Sequence, residues 1–163
     1  MIRILVAEDF DLLREDLCDT INQQTDMNVV GCASTGREME TLARQIPADL
    51  ILMDIEMETT TAGIRATEHI LECNPELKVI FLTAHETDNM ILTSMGAGAV
   101  DYIVKGLPDE ELLLHIRSAI AGRPHAGGQN SEPPFEGILP PAQLRAQPAV
   151  LHQHRLPTHR CGA

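Results

Sequence analysis

The chain is 163 residues long, carries a formal net charge of −12, and is 44% hydrophobic but only 2% aromatic. That length suits one domain of ordinary size with its own core. Acidity and a shortage of rings argue against binding to phosphate backbones or stacked bases, and no apolar run approaches the ~18–20 residues of a membrane span.

The start, MIRILVAEDF, holds too short an apolar segment for a secretory signal, so a cytoplasmic location is expected. Cys18, Cys32, Cys73 and Cys161 are scattered without metal-ligand spacing and read as free thiols of a reducing compartment.

Taken in chain order, Ile2–Ala7 (IRILVA) is a short apolar, β-branched run and reads as a first strand. Leu13, Leu17 and Ile21 then share one helix face. Met27–Ala33 (MNVVGCA) is the second strand, and Ser34 or Thr35 can cap a helix whose Met39, Leu42, Ala43 and Ile46 face inward. Pro47 stops that helix, and Leu50–Met53 (LILM) is the third strand. Gly63–Cys73 reads as a helix with Ile64, Thr67, Ile70 and Leu71 on one side, punctuated by Pro75. Leu77–Leu82 is the fourth strand, and Glu86–Met95 a helix of mixed face that ends at Gly96 and Gly98. Val100–Val104 is the fifth strand. Pro108 starts the last helix, with Leu112, Leu113, Ile116 and Ile120 as its apolar stripe.

Composition changes at Arg123. Residues 1–123 hold nine Lys and Arg against 22 Asp and Glu. Residues 124–163 hold three against two, with seven of the ten prolines and four of the seven histidines. Proline at that density breaks helices and strands alike, so 124–163 reads as a disordered tail with no recognisable output domain.

Five apolar strands, each separated from the next by a helix, imply parallel pairing with both sheet faces covered. The expected fold is α/β: a (βα)5 doubly wound, flavodoxin-like sandwich with strand order 2-1-3-4-5. Ligands of such a sheet sit at the carboxyl ends of its strands. Those ends carry Glu8 and Asp9 on the first strand, Asp54 on the third, Thr83 on the fourth and Lys105 on the fifth. Each has a plainer reading alone: a cap, a turn residue, a strand hydroxyl, a surface lysine. Together at one edge they are hard to explain that way. Three convergent carboxylates repel one another and raise one another's pKa unless a divalent cation joins them, and hard oxygen ligands suit Mg²⁺. A lysine, a hydroxyl and Mg²⁺ together meet the needs of a transferring phosphoryl group, and one carboxylate can serve as its acceptor.

On these residues the chain resembles the receiver domains of two-component response regulators, the CheY-like superfamily. The resemblance covers residues 1–123 and rests on Glu8-Asp9, Asp54 in MDIEM, Thr83-Ala84, Tyr102 and Lys105. The wording VAEDFDLLREDL and YIVKG is most similar to NarL/FixJ-type regulators, which usually continue into a DNA-binding helix-turn-helix. The resemblance implies that Asp54 accepts a phosphoryl group from a sensor histidine kinase. Glu8, Asp9, Asp54 and the backbone carbonyl of Glu56 would hold Mg²⁺. Thr83 and Lys105 would bind phosphoryl oxygens, and Thr83 and Tyr102 would form the switch. It implies a signalling domain, not an enzyme in the usual sense, with self-catalysed phosphorylation and slow autodephosphorylation. The face of the fourth helix, fifth strand and fifth helix would control a partner or output, in the parent family usually transcription. Met90, Ile91, Leu92 and Met95 make the fourth helix more apolar than one buried stripe needs, so a homodimer through this face is an option. No helix-turn-helix pattern follows Arg123, so DNA is not an expected partner of this chain, and neither is a membrane.

Two other classes fit these residues less well. A phosphatase of the haloacid-dehalogenase type would place its nucleophile on the first strand, whereas DIE stands on the third. A flavin binder would need a Gly-rich or Ser/Thr-rich phosphate loop after the first strand. One departure from the receiver pattern stands out: a proline is usual four residues after the acceptor and a glycine eight after it. Here those features are Glu58 and, at nine, Gly63, so the loop is one residue longer and carries an extra acid.

Overall fold

A computed structural model describes residues 1–123. The expectations for residues 124–163, including the missing output domain, lie outside the described residues. The elements alternate without exception: β1 (Ile2–Ala7), α1 (Asp11–Asn22), β2 (Met27–Ala33), α2 (Gly36–Gln45), β3 (Leu50–Asp54), α3 (Ala62–Cys73), β4 (Lys78–Thr83), α4 (Asp88–Gly96), β5 (Asp101–Val104) and α5 (Asp109–Ile120). All four strand pairings are parallel, in the order β2-β1-β3-β4-β5. This is the (βα)5 sandwich expected.

Strand side chains alternate between faces, and the alternation builds two cores. Leu5, Ala7, Ile51, Met53, Val79 and Phe81 pack with Met39 of α2 and with Ile64 and Ile70 of α3. Ile4, Val6, Leu50, Leu52, Ile80 and Leu82 pack with Leu17 and Ile21 of α1 and Leu112 and Ile116 of α5. Central strands are therefore apolar on both faces through their middles, with polar residues only at their ends. Burying one such large side chain contributes about 1.5–3 kcal/mol.

Local chemistry sets the boundaries. Thr35, not Ser34, caps α2: its hydroxyl accepts from the Glu38 N–H at 3.1 Å, while Glu38 Oε2 accepts from the Ser34 N–H at 3.0 Å. Thr87 caps α4 by accepting from Met90 N–H at 3.3 Å, which starts that helix two residues later than the periodicity suggests. β3 runs one residue further than its apolar stretch, because Asp54 pairs with Leu82. β4 likewise starts and ends one residue later than expected and takes in Thr83, beside Val104.

The lengthened loop after β3 is pinned at both ends. Ile55 N–H donates to Leu82 O at 3.1 Å, and Gly63 N–H donates to Ile55 O at 2.9 Å. Between them, both carboxylate oxygens of Glu58 lie 3.0 Å from the backbone N–H of Gly36, the first residue of α2. The extra acid is thus a clamp: it satisfies an orphan donor and its charge faces the positive end of the α2 dipole. Glu58→Ala should lower stability by about 0.5–1.5 kcal/mol in urea titration, and Glu58→Gln, which keeps an acceptor, by less. Among the described residues no helix is long and apolar enough to cross a membrane.

Candidate functional site

The carboxyl edge of the sheet gathers the residues singled out from sequence. β1 ends at Ala7, which puts Glu8 and Asp9 at its mouth; Glu8 is fully buried and Asp9 exposed. Asp54 is the last residue of β3 and only 2% exposed. One carboxylate oxygen from each of Glu8, Asp9 and Asp54 falls within a 4.8 Å cluster. Lys105 follows β5 and reaches across, with its Nζ 2.9 Å from Asp54 Oδ2 and 2.9 Å from Glu8 Oε2. Asp9, Asp54, Glu56, Met57, Thr83, Ala84 and Lys105 all line a cleft of about 280 Å³. A larger cleft, about 800 Å³, lies at the opposite edge around Arg3, Pro47 and Lys78 and gathers no comparable set.

Neither acid is a helix cap. Phe10 takes the N-cap position of α1 with no side-chain cap bond, and Glu8 Oε1 accepts from the Phe10 N–H at 3.1 Å. Glu8 is held through its backbone as well. Its N–H donates to Ala33 O at 3.1 Å, and its carbonyl accepts from Arg14 Nη1 at 2.8 Å.

The electrostatics follow from burial. Desolvation lifts the Asp54 carboxyl to about 7; the Lys105 ammonium pulls against that rise and the Glu8 carboxylate adds to it. Burial works against the Lys105 charge, but its bonds to Glu8 and Asp54 outweigh it and hold the ammonium above its ordinary range. Of the two 2.9 Å contacts made by Lys105, the one to Asp54 is a directed hydrogen bond. Glu8 Oε2 meets the same ammonium as a buried ion pair.

The site therefore tests well for a small divalent cation. Its donors are hard carboxylate oxygens from two adjacent strands, gathered within 4.8 Å of one another beside a polar cleft. Glu56 is beside them, its N–H donating to Asp54 Oδ1 at 3.3 Å.

Asp54 also ties stability to pH. An acid whose folded pKa lies above its unfolded value, here about 7 against 3.8, binds its proton more tightly when folded. Its contribution is thus fully present below about 4 and lost as pH rises through about 7. Without added metal, Asp54→Asn should raise the unfolding free energy relative to wild type more at pH 8 than at pH 4.5. The difference should be on the order of 1–3 kcal/mol by urea titration.

Thr83 and Tyr102 are both occupied. Thr83 Oγ1 donates to His85 O at 2.8 Å and accepts from His85 N–H at 3.2 Å, so the hydroxyl is bound to the loop before α4. Tyr102 is buried in the core on the α3 side, already turned inward, and its hydroxyl donates to Glu86 Oε1 at 3.0 Å. Burial and that carboxylate push the phenol up to about 12.

Some participants were not visible in the sequence. Glu86 under Tyr102, Arg14 on the Glu8 carbonyl and Glu58 on Gly36 are all separated from their partners by at least six residues. A further part-buried pair, Asp101 Oδ2 with His115 Nδ1 at 2.6 Å, ties β5 to α5. No motif marks any of them, because each depends on how the elements pack.

Residues 4–117 match the model of the response regulator receiver domain. The chain is 40% identical over 121 residues to the transcriptional regulatory protein YxjL of Bacillus subtilis, covering 74% of this chain and 55% of that protein. It is 35% identical over 129 residues to the response regulator GacA of Pseudomonas aeruginosa, covering 79% and 60%. It therefore spans little more than half the length of these curated relatives. Among solved structures, the response regulator domain of Thermotoga maritima CheB aligns with a TM-score of 0.68 at 35% identity, over 74% of this chain and 97% of that one. A LuxR-family response regulator from Aurantimonas sp. aligns with a TM-score of 0.71 at 29% identity, over 75% and 86%.

Proposed function

The chain belongs to the response regulator receiver family, and on that premise we propose that Asp54 is its phosphoacceptor and a sensor histidine kinase its donor. Phosphorylation by a histidine kinase is the general mechanism of the family. The observation that carries the assignment to Asp54 is its place: a buried carboxylate at the end of β3, bonded to Lys105 and beside Glu8 and Asp9.

In the proposed reaction an Asp54 carboxylate oxygen attacks the phosphorus of a phosphohistidine. The new O–P bond forms as the N–P bond breaks, and the imidazole leaves with its electron pair and takes up a proton. Lys105 meets the added negative charge with an ammonium already in place, so little reorganisation is needed. Thr83 exchanges its bond to His85 O for a phosphoryl oxygen, which frees the loop that leads through Glu86 and Thr87 into α4. Tyr102, bonded to Glu86, sits in the path of that movement. Thr83 and Tyr102 are thus the switch in this reading. Glu8, Asp9, Asp54 and the Glu56 carbonyl would hold Mg²⁺, which supplies positive charge to the transferring group's oxygens.

The domain signals. In this reading it catalyses its own phosphorylation and slow dephosphorylation and turns over no other substrate. Residues 1–123 are the receiver unit, acting in the cytoplasm. Leu92 and Met95 on α4 and Leu114 on α5 are exposed, which supports the α4-β5-α5 face as the surface for a partner or a second copy. The test is intact-protein mass spectrometry after incubation with acetyl phosphate and Mg²⁺, with the modified residue mapped. One phosphoryl group on Asp54 is expected; modification elsewhere would reject the assignment.

A further inference from the structure

Away from the acidic cleft, two cysteines face each other. Cys18 is on α1, partly buried; Cys32 is on β2, the edge strand of the sheet, and exposed. Their Sγ atoms are 3.1 Å apart. An approach of about 1 Å would bring them to the disulfide bond length of about 2.05 Å. The pair is reachable: Arg14, Glu15, Cys18, Asp19 and Cys32 line an open cleft of about 380 Å³. Burial, and then the neighbouring sulfur, push the Cys18 thiol up to about 12. A metal fits this spacing less well. Two thiolates on a tetrahedral ion, with bonds of about 2.3 Å, would stand about 3.8 Å apart.

We propose that Cys18 and Cys32 form a thiol modification site, which a small disulfide of the oxidised-glutathione class converts reversibly into a covalent link between α1 and β2. The exposed Cys32 thiolate attacks one sulfur of the oxidant, forming a mixed disulfide and releasing one thiolate. Cys18, protected by burial, is the resolving sulfur. It gives its proton to solvent and attacks Cys32 Sγ, expelling the second small thiol. Two protein thiols lose two electrons and two protons, and the oxidant is reduced to two thiols. Such disulfides are rare in reducing compartments and, where they occur, are usually transient or redox-sensing.

The link would sit close to the acidic cleft. Arg14, one turn before Cys18, donates to the Glu8 carbonyl, and Ala33, next to Cys32, accepts from the Glu8 N–H. Both joined elements therefore hold the backbone of Glu8, one of the three clustered acids. The proposal does not rest on phosphorylation of Asp54, and its test is independent of that reading.

Trypsin releases one peptide, Glu15–Arg37, that carries both of these cysteines and neither Cys73 nor Cys161. The full chain is equilibrated in graded mixtures of reduced and oxidised glutathione, quenched in acid, alkylated and mapped. The expected product is peptide 15–37 lighter by two hydrogens and without alkyl groups. Half-conversion should need about tenfold less oxidised glutathione than the isolated synthetic peptide, since the fold holds the sulfurs together. Cys18→Ser should abolish the link and leave a stable glutathione adduct on Cys32. The proposal is overturned if the peptide from the folded chain takes two alkyl groups throughout. It is also overturned if wild type stops at the mixed disulfide, or if folded chain and free peptide convert at the same mixture.

Discussion

Asp54→Asn should take up no phosphoryl group from acetyl phosphate and Mg²⁺ under conditions where the wild-type chain takes up one. Asparagine keeps the size and the backbone of β3 but offers no anionic oxygen to attack phosphorus. The neighbouring acids are poor substitutes. Glu8 is fully buried, with Oε1 engaged by the Phe10 N–H and Oε2 against Lys105, and Asp9 sits on the exposed side of the cluster. A paired variant separates acceptor from surroundings. Lys105→Ala leaves Asp54 in place but removes the ammonium 2.9 Å from it, and loss of one preorganised charge of this kind typically costs about 10²–10³-fold in rate. Lys105→Ala should therefore still reach one phosphoryl group on Asp54, slowly, while Asp54→Asn should not. Time-resolved intact mass spectrometry reads both. Uptake by Asp54→Asn at the wild-type rate would remove Asp54 from the reaction.

Much of this arrangement was legible because a parallel sheet buried on both faces leaves a coarse trace. Runs such as ILVA and LILM need every position apolar, and each ends where a polar strand terminus begins. Once the strand order is known, the carboxyl edge follows, and with it Glu8, Asp9, Asp54, Thr83 and Lys105. The limits are also physical. Whether Ser34 or Thr35 caps α2 turns on the backbone angles of two adjacent residues, and either side chain could accept the bond. Glu8 beside a helix start reads as a cap, yet its side chain is turned inward to Lys105, since an ammonium in the interior attracts it more than one amide does. Glu58 looked like an irregularity in a long loop. Its partner is 22 residues away, at the start of α2, and such a distance has no periodicity to betray it.

The same loop supplies the second large effect. Gly63→Ala should destabilise the chain by about 3 kcal/mol or more, seen as a lower urea midpoint, and should slow phosphorylation of whatever remains folded. A Cβ on Gly63 would lie 1.9 Å from the Asp54 carbonyl oxygen and 2.9 Å from both Asp54 C and Ile55 Cα. These are backbone atoms of β3 and its first loop residue, so no side chain can swing aside. Relief would require α3 to move off the sheet, breaking the Gly63 N–H bond to Ile55 O and shifting the helix that places Ile64 and Ile70 in the core. Alternatively the Asp54 carbonyl moves, and the Asp54 carboxylate moves with it. The close approach therefore demands glycine wherever the loop delivers the chain to it, which here is nine residues after Asp54. Gly96 provides the control. It closes α4, and a Cβ there meets nothing within 4 Å. Gly96→Ala should be neutral or stabilising by up to about 1 kcal/mol. Equal losses at the two positions would show that the close approach of Gly63 to Asp54 is not what holds the loop.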